Sequence, residues 1–314
     1  MPYSISKEGA RQEVVGPQEQ PPHPLLSIKD LLPPSRTPLN NCESGPNSPA
    51  QLEQGIYSLS DVRTAVADNI RPLSEALAYI GPECRFLCFG EYHLPLQHDS
   101  YRLTVAKSLS TLKSRGFDTL VVELDRAKQE AVDNLGGSTD PTALRTALRQ
   151  IQPFAWSAGN IEIVAQGIER GFRIVCPDID HPWMRDQRCN NAPFQNHRDS
   201  QIANYMLEHV GPGSRAVVFY GGAHVQKHVC ESYGGEKVTR MATRLVQELG
   251  EQAVCSIRFL DAEHHFDWLL SFLSRTPKTK DVITQRGVWL LPEIEPIKGH
   301  PGVTATDFLA IEIL

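Results

Sequence analysis

Short, continuous apolar runs recur along the chain at RFLCFG (85–90), DTLVVEL (118–124), FRIVCPD (172–178), RAVVFYG (215–221) and AVCSIRFL (253–260). A strand that alternates apolar and polar residues can keep one face in water. These runs do not alternate, so both faces of each strand must be covered. Between them lie segments of helical period, for example Val238, Met241, Leu245 and Leu249. Strands separated by helices, with both faces buried, specify an α/β fold: a mainly parallel central sheet with helices on both faces. Strand order is not contained in this pattern. The pieces GVWLLPEI and TDFLAIEIL near the end of the chain read as two further strands without an assigned place.

Upstream, Val62, Val66, Ile70, Leu73, Leu77 and Ile80 fall at three- and four-residue steps, which predicts a helix with Ser60 or Asp61 as cap. Pro72 should kink or divide it. Residues 1–55 differ from everything after them. They hold ten of the 23 prolines, much Ser, Gln and Asn, and one aromatic residue, Tyr3. Such a segment buries too little apolar area to offset its ordering entropy. The domain reading is therefore a disordered leader over 1–55, with LLSIKDLL (25–32) as its one sticky patch, and an α/β domain over 56–314.

The charge balance narrows the function classes. A formal net charge of −6 and a pI near 6.0, with no dense Lys/Arg block, exclude a general nucleic-acid binder. No apolar run approaches the roughly 18–20 residues of a membrane helix. The first residues, MPYSISKEGARQEVV, contain no hydrophobic segment of the Sec type. A Ser/Pro-rich leader without a Sec segment fits a substrate of a needle-type secretion system. Seven scattered cysteines, mostly inside apolar runs, suit reduced, buried thiols rather than a disulfide framework or catalytic thiolates. G-x-S-x-G, H-E-x-x-H, P-loop, C-x-x-C and G-x-G-x-x-G motifs are absent.

What remains are the residues at the carboxyl ends of the strands. The first run ends in Glu91 and His93, the second in Glu123, the third in Asp178 and Asp180, and the fourth in His224 after Gly221 and Gly222. In parallel α/β sheets ligands bind outside the carboxyl ends of the strands, so these groups point to one shared crevice. Glu91 and His93 share a face of an extended segment. Glu123 follows TLVV, where a half-buried carboxylate requires a partner such as a His, an Arg or a metal. Asp178 or Asp180 could instead close a turn. His98 lies beyond the first strand end, with Asp99 as a candidate helix cap. In NHRDSQIANYM, Asn196 is the candidate cap of a helix, and Arg198 could bridge to a strand-end carboxylate or hold an anionic group.

Taken in order, FGEYH, VVEL, HRDSQIANYM and FYGGAH resemble the superfamily that joins erythromycin esterases, ChaN-like haem-uptake proteins and Tiki proteases. Together with the leader, the domain is also similar to type III effectors of the HopBA type from plant-pathogenic bacteria, which implies export without a Sec signal into a host cytoplasm, with the bacterial cytoplasm as the alternative. The resemblance spans about residues 85–228 and carries over Glu91, His93, Glu123, Arg198, Asp199 and His224. A second histidine shortly after the first, as in HLPLQH, also brings in His98. It implies a hydrolase of ester, lactone or peptide bonds, or a binder of haem. As a hydrolase, His93 or His224 is the general base, Glu91 or Glu123 fixes its tautomer, and Arg198 stabilises the oxyanion, with Asp178, Asp180 and Asp199 in support. In a metal variant Glu91, His93, Glu123 and His224 hold a divalent ion. The expected partner is a small-molecule or peptide substrate. The alternative is a non-enzymatic module that binds haem or a host protein.

Overall fold

The structure is a computed structural model that describes residues 65, 68–91, 99–151, 157–179, 191–228, 232–233, 236–259, 287–292 and 306–313. The leader, His93, His98 and Asp180 lie outside the described residues. In chain order the elements are β1 (Arg71–Pro72), α1 (Leu73–Ala76), β2 (Phe86–Glu91), α2 (Asp99–Ser114), β3 (Phe117–Val122), α3 (Gln129–Asp133), α4 (Pro141–Ile151) and α5 (Ala158–Glu169). There follow β4 (Arg173–Val175), α6 (Ala192–His209), β5 (Arg215–Gly221), β6 (Ser232–Tyr233), β7 (Glu236–Lys237), α7 (Met241–Leu249), β8 (Val254–Phe259), β9 (Gly287–Pro292) and β10 (Phe308–Ile313). Every one of the apolar runs is a strand.

The main sheet has the order β1-β9-β10-β8-β2-β5-β3-β4, and β6 and β7 form a separate ribbon. From β10 through to β4 all neighbours are parallel; β9 runs antiparallel to β10, and β1 antiparallel to β9. The two tail pieces thus extend the sheet beyond β8. The order also places β2, β5, β3 and β4 side by side. These are the four strands whose carboxyl ends carry Glu91, His224, Glu123 and Asp178. An α/β fold with a mainly parallel sheet is what the uninterrupted apolar runs require.

Side-chain alternation divides the core into two layers. Leu87, Phe89, Leu120, Val122, Val217, Phe219 and Ile257 pack with Tyr101, Val105 and Leu109 of α2 and Ile161, Ile163 and Val164 of α5. The intervening Phe86, Cys88, Val121, Val218, Tyr220 and Val254 pack with Ile202 and Met206 of α6 and Met241 and Leu245 of α7. Helices therefore cover both faces.

One local expectation holds and another is corrected. Pro72 divides the helical pattern, as expected: Arg71 and Pro72 are extended and pair with Leu290 and Trp289 of β9. Pro72 stands at φ −55° and ψ 143° and serves as N-cap of the short α1. The missing N–H and the fixed φ of proline make that break. Helix α6 begins at Ala192, not near Asn196. Asn191 is the cap, accepting from the Phe194 amide, with Pro193 in the first turn. Asn196 instead links α6 to the α7 approach, giving Nδ2 to the Lys237 carbonyl and accepting from the Thr239 amide.

Candidate active site

The site is assembled by α6, which carries Arg198 and Asp199 to the carboxyl ends of β3, β4 and β5. Arg198 grips Asp178 with two hydrogen bonds, Nε to Oδ1 at 3.0 Å and Nη2 to Oδ2 at 2.5 Å. The same Nη2 donates to Glu123 Oε1 at 2.7 Å. The other oxygen of Glu123 accepts the Gly221 amide at 2.7 Å, which fixes that carboxylate between β3 and β5. Burial alone would make this guanidinium easier to deprotonate. Its hydrogen bonds to Asp178, with the charges of Asp178 and Glu123, reverse that and raise it well above the usual arginine value.

The remaining arm of Arg198 reaches a histidine. Nη1 lies 3.1 Å from His224 Nε2. A guanidinium only donates, so Nε2 is the acceptor and the ring proton resides on Nδ1. Nδ1–H donates to Asp199 Oδ1 at 2.6 Å. Asp199 is itself held by the Met241 amide at 2.8 Å, where α7 begins, and by Arg240, whose Nη1 is 3.6 Å from Oδ2. Asp178 and Asp199 are wholly buried, and His224 is 5% exposed. The result is a line of contacts: Asp199, His224, Arg198, then Glu123 and Asp178.

Glu91 belongs to a second network on the α2 and α5 side of the sheet. Arg102 Nε donates to its Oε2 at 2.5 Å, and Asn160 Nδ2 reaches Oε1 and Oε2 at 3.1 and 3.2 Å. Asn160 is the third helical residue of α5 and closes a capping box with Ser157. Asp99 does not cap its own helix in these contacts. It crosses to α5, accepting from Ser157 Oγ at 2.6 Å and the Gly159 amide at 3.2 Å. The helices meet closely there: a Cβ on Gly159 would stand 2.6 Å from Arg102 Cβ. Gly90, next to Glu91, has the same purpose, since a Cβ there would meet Val225 at 2.5 Å and the Gly222 backbone at 3.0 Å. One small cavity is lined by Glu123 from the first network and by Glu91 and Asn160 from the second, with Val122, Ile163, Val164 and Phe219 on its apolar side.

Of the expected site residues, Glu123, Asp178, Arg198, Asp199 and His224 form one network, while Glu91 belongs to another and meets Glu123 across the cavity. The carboxylate in contact with His224 Nδ1 is that of Asp199, rather than Glu91 or Glu123. Glu123 is engaged by Arg198 and Gly221, and Glu91 by Arg102 and Asn160. Of the donors expected in a metal variant, His93 lies outside the described residues, and the Arg198 guanidinium stands between Glu123 and His224. Among the described residues no three His, Cys, Asp or Glu side chains are grouped to hold a metal ion. Arg102, Asn160, Tyr220 and Arg240 went unnoticed in the sequence; only S-x-x-N at 157–160 carried a signal, as a capping box. Burial pushes the thiols of Cys84, just before β2, and Cys176, just after β4, up to about 12, and raises those of Cys88 and Cys255 within β2 and β8 as well, which disfavours thiolates.

No protein-family model and no curated protein matches the chain by sequence. Solved structures match it in fold. An erythromycin esterase, a mutant of EreC in its open conformation, aligns at a TM-score of 0.53 and 12% identity over 75% of this chain and 92% of that one. A Bacillus cereus protein aligns at 0.54 and 12% identity over 81% of this chain and 97% of its own. This chain shares their fold. Bacterial protein toxins match at 0.42 and 18% identity over 68% of this chain, which spans 42% of that toxin's length. ChaN of Campylobacter jejuni and the type III effector HopBA1 are further structural neighbours, at 0.45 and 0.39. No helix among the described residues is long and apolar enough to cross a membrane.

Proposed function

We propose that the chain is a hydrolase of ester, lactone or peptide bonds with His224 as general base. The observation that carries this reading is the Asp199–His224–Arg198 line. Asp199 holds the Nδ1–H tautomer, so the lone pair of a neutral imidazole is on Nε2, beside a guanidinium that can bind a developing oxyanion. When a carbonyl enters the crevice, Arg198 Nη1 turns to its oxygen and Nε2 is released to a water. The water oxygen bonds to the carbonyl carbon as its proton passes to Nε2, and negative charge collects on the oxygen facing Arg198. The tetrahedral species then expels an alcohol or amine, which takes the proton from Nε2, and the acid remains. Asp199 stays ionised throughout and steadies the imidazolium. The fold shared with an erythromycin esterase supports this choice of chemistry. Delivery into a host cell as a secreted effector is part of the proposal, supported by the Pro- and Ser-rich residues 1–55.

The test is a panel of aryl esters, lactones and peptides offered to the purified full chain, with and without chelator. The expected result is chelator-resistant turnover that drops by roughly 10²-fold or more in His224→Ala. A folded wild type that turns over none of them, or a His224→Ala variant as active as wild type, overturns the reading.

A further inference from the structure

Tyr220 is the last side chain on β5 before Gly221, whose amide anchors Glu123. Its ring meets the His224 imidazole edge-on, with centroids 5.6 Å apart and planes at 77°. Its hydroxyl is fully buried and finds no hydrogen-bond partner among the described residues. A phenylalanine would fill the same space without burying a bare hydroxyl, so this oxygen costs stability in the resting state. Such local costs concentrate at working sites.

The groups around that hydroxyl are those Arg198 ties together. Burial, and after it the charges of Asp178 and Glu123, push the phenol well above its ordinary value, while Arg198 pulls the other way. Among the described residues the hydroxyl is therefore an unpaired, buried donor within electrostatic reach of two carboxylates that share a single guanidinium. In the hydrolytic cycle that guanidinium has a second call on it, the substrate oxygen. We propose that Tyr220 is a positioning residue for Arg198: its hydroxyl donates to the Asp178–Glu123 carboxylates when Arg198 turns toward the substrate. The inference rests on the hydrolase reading and extends it by naming what keeps the carboxylates satisfied while the arginine moves.

The test compares Tyr220→Phe with wild type, full chain in both cases, by thermal unfolding, steady-state kinetics and binding of methylphosphonate, a stable mimic of the tetrahedral oxyanion. Binding is followed by the ring nitrogen signals of His224. The expected result is an unchanged or higher Tm, kcat lowered roughly tenfold or more with KM little changed, and weaker methylphosphonate binding. A lowered Tm shows that the hydroxyl has a resting partner and overturns the inference, as does an unchanged kcat. If the wild type hydrolyses nothing, the hydrolase reading fails on its own, and the ligand titration decides for Tyr220. Weaker binding in Tyr220→Phe keeps the inference; equal binding, or none to either protein, overturns it.

Discussion

Replacing Arg198 by methionine should be the most damaging single change in the site, and its size can be worked from the contacts. The guanidinium makes three hydrogen bonds to carboxylates, two to Asp178 and one to Glu123, and a fourth to His224. Arg198 and Asp178 have side chains 6% and 0% exposed, so neither is screened by water. Methionine fills much of the arginine stem but leaves Asp178 as a buried carboxylate without its counter-charge. Breaking a buried pair from one side costs about 3–5 kcal/mol. For a domain of this size that corresponds to a Tm lower by roughly 6–20 °C. The assay is urea unfolding followed by circular dichroism, run as a double-mutant cycle with Asp178→Asn. Removing the orphaned charge as well should recover part of the loss, so the double variant should be less destabilised than the sum of the singles by about 1–3 kcal/mol. A cost below about 1 kcal/mol for Arg198→Met, the range of exposed pairs, would refute the reasoning, because it would mean that water reaches the cluster.

Further outcomes follow from the same structure. Lys227 is 3% exposed and holds Asp307 Oδ1 and Oδ2 at 2.9 and 3.0 Å, while Asp307 accepts the Ser256 amide of β8 just before β10 begins. Lys227→Met should lower the urea midpoint by an amount equivalent to about 3–5 kcal/mol. Burial would lower the Lys227 pKa, but Asp307 and Glu251 raise it overall, so its contribution is complete below the unfolded lysine value of about 10.4 and fades only above that. The deficit of Lys227→Met should accordingly stay constant from pH 6 to pH 9; a deficit that varies across that window contradicts the assignment. Gly90→Ala should cost about 1–3 kcal/mol from the overlap with Val225 and the Gly222 backbone, with a wild-type unfolding midpoint as the disproof. Cys84 and Cys176 should resist iodoacetamide at pH 8 in the native protein and react in urea, read site by site by mass spectrometry; native labelling of either would show it is not held as a buried thiol.

The strands were legible because each is one unbroken apolar run, as RAVVFYG coincides with β5 residue for residue. Their order was not, since β5 inserts between β2 and β3 through pairings more than ninety residues apart in sequence. That order decides the site's chemistry. Glu91, Glu123, Asp178 and His224 were recognisable as strand-end groups, but which carboxylate meets His224 depends on how α6 crosses the sheet, and Asp199 is the answer. The start of α6 is not where the nearest candidate cap lies: Asn196 is a reasonable cap in isolation, but the Asn191–Ala–Pro entry five residues earlier is the stronger one. Arg102 and Asn160 carried no signal of function, because a buried arginine and a capping asparagine look the same as surface ones until their partner is known.

The protonation state of His224 is the measurement that tests the mechanism most directly, because it does not depend on knowing the substrate. Ring nitrogen chemical shifts of selectively labelled histidine, assigned through His224→Gln, report the tautomer at neutral pH. The expected result is a neutral ring protonated on Nδ1, which changes tautomer or charge in Asp199→Asn. A His224 protonated on Nε2, or one indifferent to Asp199→Asn, would contradict the role given to the Asp199–His224–Arg198 line.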